Sequence, residues 1–238
     1  MMVEGAVALV TGANRGIGAA LVEALVEAGA SRVYAATRAV PPGRGDGRVI
    51  PIALDVTDPD APARAAREHP DVQVLINNAG VTRAQPLVAT SQPDAAWDEM
   101  RVNYFGTLAM VRAFAPVLAR SGGGAIVNML SILGRVSGPR VGSYSASKAA
   151  AFSLTQGIRG ELASQGTLVI GVMPGLVDTD MTRGVPAPKL PASAVAASVI
   201  DALRRGIEDV YPGAAAEVAE GLLRAPKSVE RQFAALFS

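Results

Sequence analysis

Tyr144 and Lys148 stand four residues apart, a spacing that places both side chains on one helix face, about one turn apart. A free phenol has a pKa near ~10, too high to exchange protons readily at neutral pH. An ammonium ~4 Å from the phenolate oxygen favours ionisation by about 4 kcal/mol at an effective dielectric of ~20. That equals about three pKa units. Lys148 is therefore expected to bring Tyr144 into the range of a general acid and base acting on an oxygen.

A second chemical feature lies at the other end of the chain. Directly after the first apolar run come Gly12, Asn14, Arg15, Gly16, Ile17 and Gly18, followed by an amphipathic stretch to Ala28. Glycines at a strand-to-helix turn let the backbone approach a pyrophosphate, and the helix N-terminus supplies amide donors and a favourable dipole. The spacing differs from G-x-G-x-x-G and lacks the Lys-Ser/Thr of a P-loop. Its place in the chain is what points to a dinucleotide.

Composition removes rival chemistries. The 238-residue chain has no cysteine and one histidine, His69. Disulfides, thiolate nucleophiles, cysteine-held metals and histidine metal clusters are excluded, so no metal site is expected. Ser-His-Asp triads have almost nothing to draw on. His69, beside Pro70 and among charged residues, reads as a solvated loop residue. A net charge of +1 gives no global field for nucleic acid or anionic membranes. No apolar stretch is read as long enough to cross a bilayer, and no leader precedes residues 6–10; a soluble, cytoplasmic protein is expected.

The elements that must position these residues follow from periodicity. Short apolar runs at 6–10, 32–36, 49–53, 72–76, 125–129 and 168–173 read as strands, with a short seventh possible at 209–211. Helical stretches fall near 17–28, 60–68, 94–119, 144–163 and 193–205. Such alternation specifies right-handed βαβ crossovers. The expected fold is α/β: a Rossmann-type, doubly wound parallel sheet of six to seven strands with helices on both faces. Residues 39–48 and 183–191, rich in Gly, Pro or both, read as loops, and 213–238 as two short helices broken around Pro226. Residues 1–238 read as one domain.

Taken in order, the motifs resemble the short-chain dehydrogenase/reductase family in its short, single-domain subtype. The glycine turn comes first, then Asn77, Asn78, Ala79 and Gly80 after the fourth strand and Asn103 in the following helix. Ser131 follows the fifth strand, Tyr144 and Lys148 open the next helix, and Pro174, Gly175 and Thr179 follow the sixth strand. The resemblance runs from about Val7 to Thr182. It implies hydride transfer between a nicotinamide and a small-molecule carbonyl or alcohol. Tyr144 would be the proton donor or acceptor and Ser131 would hold the substrate oxygen. Lys148 would be helped by the positive nicotinamide of the oxidised cofactor in lowering the Tyr144 pKa and would also hold the nicotinamide ribose, and Asn103 would anchor a water linking Lys148 to solvent. Asp55 and Val56 would meet the adenine, while Asn78, Ala79 and Gly80 would let the chain pass close to the cofactor. Pro174, Gly175 and Val177 would border the nicotinamide and Thr179 would bond its carboxamide.

At the end of the second strand an acid would bind a free ribose 2′-hydroxyl. Here the sequence reads Ala36, Thr37, Arg38. Arg38, with Arg15 in the glycine turn, can pair with a 2′-phosphate, and the two placements resemble the NADPH-preferring carbonyl reductases of the family. NADP(H) is the expected cofactor.

The chain departs from the family at Leu130, where many relatives have a serine. It also lacks the usual Val-Asp-Gly-Gly ending, having Asp209 to Gly213 instead, which argues against a standard β-ketoacyl-carrier-protein reductase. A short segment after Thr179 implies an open pocket, with apolar contacts expected from Leu133, Val136 and Pro139. Small residues along the Tyr144 helix (Ala146, Ala149, Ala150, Ala151, Gly157, Gly160) favour a homodimer or homotetramer. Two other readings are a catalytically idle NADP(H)-binding sensor or scaffold, and a sugar-nucleotide epimerase. The second lacks the substrate domain it would need. Tyr144→Phe is expected to bind NADPH and lose turnover; near-normal turnover in a spectrophotometric assay would refute the role assigned to the phenol.

Overall fold

Seven short β-branched and Ala-rich runs pair into one sheet in the order β3-β2-β1-β4-β5-β6-β7, every pairing parallel. The strands are β1 Val7–Thr11, β2 Arg32–Thr37, β3 Val49–Ala53, β4 Val74–Asn77, β5 Ala125–Met129, β6 Leu168–Val172 and β7 Asp209–Val210. This computed structural model describes residues 3–40 and 47–236. Most of the loop expected at 39–48 lies outside the described residues.

Alternation along each strand sends successive side chains to opposite faces, and both faces are covered. Ala8 and Val10 point into one core with Leu21 and Leu25 of α1 (Gly16–Glu27) and Val195, Val199 and Leu203 of α6 (Ala192–Arg205). Leu9, Leu75 and Ile126 point into the other. There they meet α2 (Ala61–Glu68), α4 (Thr107–Arg120) and α5 (Gly142–Leu162). Each fully buried Leu, Ile or Phe contributes roughly 1.5–3 kcal/mol. The two cores together fix the register on which the site depends.

The strand order reverses at β1, which lies between β2 and β4. In such sheets ligands bind outside the carboxyl ends of the strands at that reversal. Gly12, Thr37, Asn78 and Leu130 all lie just beyond or at those ends.

Several local features differ from the sequence reading. The helix expected at 94–119 is three joined pieces: α3 (Ala95–Met100), a π-helical turn (Arg101–Gly106) and α4. The wider turn carries Asn103 and brings Gly106 against Val56, where a Cβ would lie 2.7 Å from Val56 Cγ2. The run Ala95–Arg120 contains an 18-residue window with a mean hydropathy of 1.3, enough to cross a membrane by length and composition, although charged residues interrupt the run. Its apolar side chains Met110, Val111, Phe114, Val117 and Leu118 are spent on the second core. His69 lies just past the end of α2, as its C-cap, but is half-buried rather than fully solvated, packing on Tyr34 with ring centroids 4.1 Å apart. The tail forms α7 (Ala215–Arg224) and α8 (Pro226–Leu236), with Pro226 opening the second helix, where its missing N–H costs nothing.

Gly18 makes the closest backbone approach in the glycine turn. A Cβ there would lie 2.1 Å from the Gly12 carbonyl oxygen and 2.6 Å from Asn78 Nδ2. Gly18→Ala is therefore expected to cost about 1–3 kcal/mol through forced backbone shifts, read as a lowered urea midpoint; an unchanged midpoint would contradict this packing.

Candidate active site

The glycine turn is tied to the end of β4 by side chains from both. Thr11 Oγ1 accepts from the amides of Asn78 and Ala79, each at 3.0 Å. Asn78 Nδ2 donates to the carbonyls of Thr11 at 2.9 Å and Gly12 at 3.1 Å. Gly12 has φ +65°, and a Cβ there would lie 3.0 Å from Ala79 Cα. Gly16, at φ +54°, approaches Thr179 so closely that a Cβ would meet its Cγ2 at 3.1 Å. These missing side chains leave a shallow cradle with exposed backbone at the α1 N-terminus.

The cradle continues as one cleft. Its walls include Gly12, Asn14, Arg15, Gly16, Ile17, Gly18, Arg38, Asp55, Val56, Asn78, Ala79, Gly80, Tyr144, Lys148, Pro174 and Thr179. Thr37, Thr57, Val81, Arg83, Asp98, Arg101, Val102, Met129, Leu130, Asp180 and Met181 also line it; of these the sequence reading named only Thr37 and Leu130, neither as a cleft residue. Thr57 was signalled by Asp55, whose Oδ1 accepts from the Thr57 amide at 2.9 Å and its hydroxyl at 2.7 Å. Those bonds hold the Asp55 carboxyl below its usual pKa. Asp98 and Arg101 had no local signal, because the helix that carries them reaches the cleft only through packing.

Four expected residues do not form the wall. Ser131 is 7% exposed and lies behind it. Gly175 faces open space. Val177 is buried in the first core, with its carbonyl accepting from Thr182 Oγ1 at 2.5 Å. Asn103, fully buried, sits behind the cleft. Its Oδ1 accepts from the Val81 amide, and its Nδ2 donates to the Val81 carbonyl and to Ser147 Oγ, all at 2.9 Å. A Cβ on Gly80 would sit 3.2 Å from Asn103 Oδ1 and 3.6 Å from Lys148 Nζ, so the glycine separates the two polar groups with the thinnest possible chain.

Ser131 caps a 3₁₀ turn at Ile132–Gly134, its Oγ accepting from the Leu133 amide at 3.1 Å. That bond leaves the hydroxyl proton for another acceptor. The turn packs on α5 at Gly134, where a Cβ would lie 2.8 Å from the Lys148 carbonyl oxygen. Behind it, Asn77 Nδ2 donates to Asn128 Oδ1 and Asn128 Nδ2 to Thr155 Oγ1, both at 2.9 Å. This buried chain fastens β4, β5 and α5 in one register. Of the apolar residues expected around a substrate, Val136 is only 7% exposed and packs under Val229 and Phe233 of α8. It is covered by the tail rather than open to a ligand.

Lys148 is 5% exposed. Its Nζ donates to the Met129 carbonyl at 2.7 Å and lies 5.8 Å from the centroid of the Tyr144 ring. Burial pulls its pKa down to about 8. Tyr144 is half-buried, yet crowding by protein atoms pushes its phenol up to about 12, with Ser131 hydrogen bonding acting against the rise and the charge of Glu99 adding to it. In the free protein desolvation of the phenolate is the larger effect; the expected lowering draws on the ammonium together with the positive nicotinamide of an oxidised cofactor. The phenol is protonated at neutral pH, the form a general acid requires.

Arg15 pairs with Asp180 at 3.3 Å across the mouth of the cleft and is 67% exposed. An exposed pair of this kind is worth about 0–1 kcal/mol, so a stronger anion can displace it. Arg38 lies near Asp55 and lowers its pKa slightly. Glycine cradle, cation-rimmed mouth and phenol–ammonium floor together fit an extended dinucleotide.

The family model for short chain dehydrogenases matches residues 6–189. A short chain dehydrogenase from Burkholderia cenocepacia J2315, crystallised in complex with NADP, is 49% identical with a TM-score of 0.94, covering 98% of this chain and 99% of its own. The sorbitol dehydrogenase of Cereibacter sphaeroides is 38% identical over 198 residues, 79% of this chain and 76% of its own. The 3-oxoacyl-(acyl-carrier-protein) reductase FabG of Vibrio cholerae is 34% identical over 199 residues, 78% of this chain and 79% of its own. The chain belongs to the short-chain dehydrogenase/reductase family. It is an oxidoreductase of the NAD(P)-dependent kind that acts on CH–OH groups.

The buried cation has a thermodynamic signature. Lys148 binds its proton less tightly folded (about 8) than unfolded (10.5). Between those values the unfolded chain holds the extra proton, so stability rises with pH across that window. Lys148→Met is expected to raise stability at pH 7 by on the order of 2 kcal/mol, after allowing for the lost bond to Met129, and to flatten the rise. Urea titrations at pH 7 and pH 10 measure both; a less stable variant at pH 7 would contradict the cost assigned to the buried ammonium.

Proposed function

We propose that the chain is an NADP(H)-dependent carbonyl reductase, or secondary-alcohol dehydrogenase in reverse, built as a single domain and working as a homodimer or homotetramer. The observation that carries this reading is the meeting of Tyr144 and Lys148, with Ser131 hydrogen-bonded to Tyr144 from behind, at one end of a cleft whose other end carries Arg15 and Arg38 and no acid at the close of β2.

The bound nicotinamide would supply or accept the hydride. Tyr144 would donate its phenolic proton to the substrate oxygen during reduction and take it back from the alcohol during oxidation. Ser131 would direct its free hydroxyl proton at the same oxygen and hold it in place. Lys148 would keep a positive charge near the phenol, stabilising the phenolate left by proton transfer, and would hold ribose hydroxyls. Asn103 would hold Val81 and the chain beside Gly80, keeping Lys148 in place. The residues after Thr179, together with Leu133 and Pro139, would meet the substrate and favour apolar groups beside the carbonyl.

Arg15 and Arg38 would grip the 2′-phosphate, Arg15 leaving Asp180 for the stronger anion. A relative bound to NADP, the Burkholderia cenocepacia protein, supports that preference. NADPH is expected to bind more tightly than NADH in a fluorescence titration. The Arg15→Ala, Arg38→Ala double variant is expected to weaken NADPH about 10–100-fold while leaving NADH little changed. A wild-type preference for NADH would overturn the cofactor assignment. NADPH consumption across a panel of ketones, aldehydes and quinones tests the reaction class: turnover with any supports it, whereas binding without turnover across the panel favours an idle NADP(H)-binding protein.

A further inference from the structure

Two charged side chains are buried among the described residues. One is Lys148; the other is Glu99, at 0% exposure on α3. Glu99 Oε1 accepts from the Arg83 amide at 2.6 Å. Its Oε2 is buried with no partner, an arrangement that proteins retain only at a cost. A solvated or apolar residue would be the cheaper choice at this position.

The carboxylate grips a short strap that begins beside the cleft. Val81, next to Gly80, is held at both its amide and its carbonyl by Asn103. Arg83 is held at its amide by Glu99, and its guanidinium pairs with Asp98 at 2.9 Å. Ala84 then adopts φ +48°, the left-handed region, alone among the described non-glycine residues. A β-carbon in that region is disfavoured, so neighbouring bonds must hold it there. Gln85 supplies them on the far side: its carbonyl accepts from the Ser143 amide at 3.3 Å and the Ser143 hydroxyl at 3.2 Å. Ser143 immediately precedes Tyr144.

We propose that Glu99 is a positioning residue for the reaction, its buried carboxylate setting the strap 81–85 that joins the Asn103 helix to the first turn of α5 and so places Tyr144. The inference rests on the acid–base reading of Tyr144 given above. Glu99 acts through the strap and not by contact with the reacting atoms.

The test compares Glu99→Gln, which keeps an acceptor for the Arg83 amide, with Glu99→Leu, which fills similar space and removes it. Amide hydrogen exchange at Arg83 and Ser143, followed by NMR on the full chain, needs no turnover. In Glu99→Leu both amides are expected to exchange about tenfold faster or more, and kcat to fall about tenfold with the NADPH Kd within about threefold of wild type. Glu99→Gln is expected to stay within about threefold of wild type in exchange and kcat. Slow exchange in Glu99→Leu, fast exchange there with kcat unchanged, or equal damage in both variants would overturn the proposal. If wild type turns over no carbonyl, the acid–base reading fails by itself, and the exchange comparison still decides whether Glu99 sets the strap.

Discussion

An ammonium held almost dry beneath a phenol is the constraint around which this molecule is arranged. Lys148 gives up water for one carbonyl, that of Met129 at 2.7 Å, and a single neutral acceptor does not replace full hydration of a cation. Tyr144 beside it resists ionisation because phenolate would be equally poorly solvated. The free protein thus holds two groups displaced from their ordinary pKa values in opposite directions, to about 8 and about 12. Each is displaced toward neutrality. A further positive charge entering the cleft would favour the phenolate, and a developing alkoxide would favour the proton staying near.

The rest of the fold keeps that arrangement in register. Strand ends converge on one sheet edge, the buried Asn77–Asn128–Thr155 chain fixes β4 and β5 against α5, and Gly134 lets the Ser131 turn lie on the Lys148 backbone. Glycines at 12, 16, 18 and 80 matter for the same reason at different points of the cleft: each marks a contact a β-carbon would fill or strain. The tail packs Val229 and Phe233 onto Val136, so it braces the segment after Ser131.

Much of this is legible in the amino-acid sequence. Strand–helix alternation gave the sheet, because parallel strands buried on both faces leave continuous apolar runs. The order of the motifs placed Tyr144, Lys148 and the glycine turn on one cleft, since the strand ends they follow must share an edge. Effects that depend on three-dimensional density were not legible. The Coulomb sum for Tyr144 and Lys148 contained attraction and lacked desolvation, which is the larger effect in the free protein. Glu99 lies in a helical stretch where an acid ordinarily faces solvent, and its burial comes from tertiary packing, with the Arg83 amide bound to its carboxylate. The wide turn at Arg101–Gly106 has no sequence period of its own, and Val136 is covered by residues nearly a hundred positions later.

The most direct measurement is the titration of Tyr144 by NMR, with tyrosine labelled at the ring carbon bearing the hydroxyl and Tyr144→Phe used to assign the signal. In the free protein the phenol should remain protonated well beyond the ordinary tyrosine range, and on addition of NADP⁺ its midpoint should fall by about two units or more. A Tyr144 midpoint at the ordinary value, or one indifferent to NADP⁺, would contradict a phenol controlled by burial and by the charges brought into its cleft.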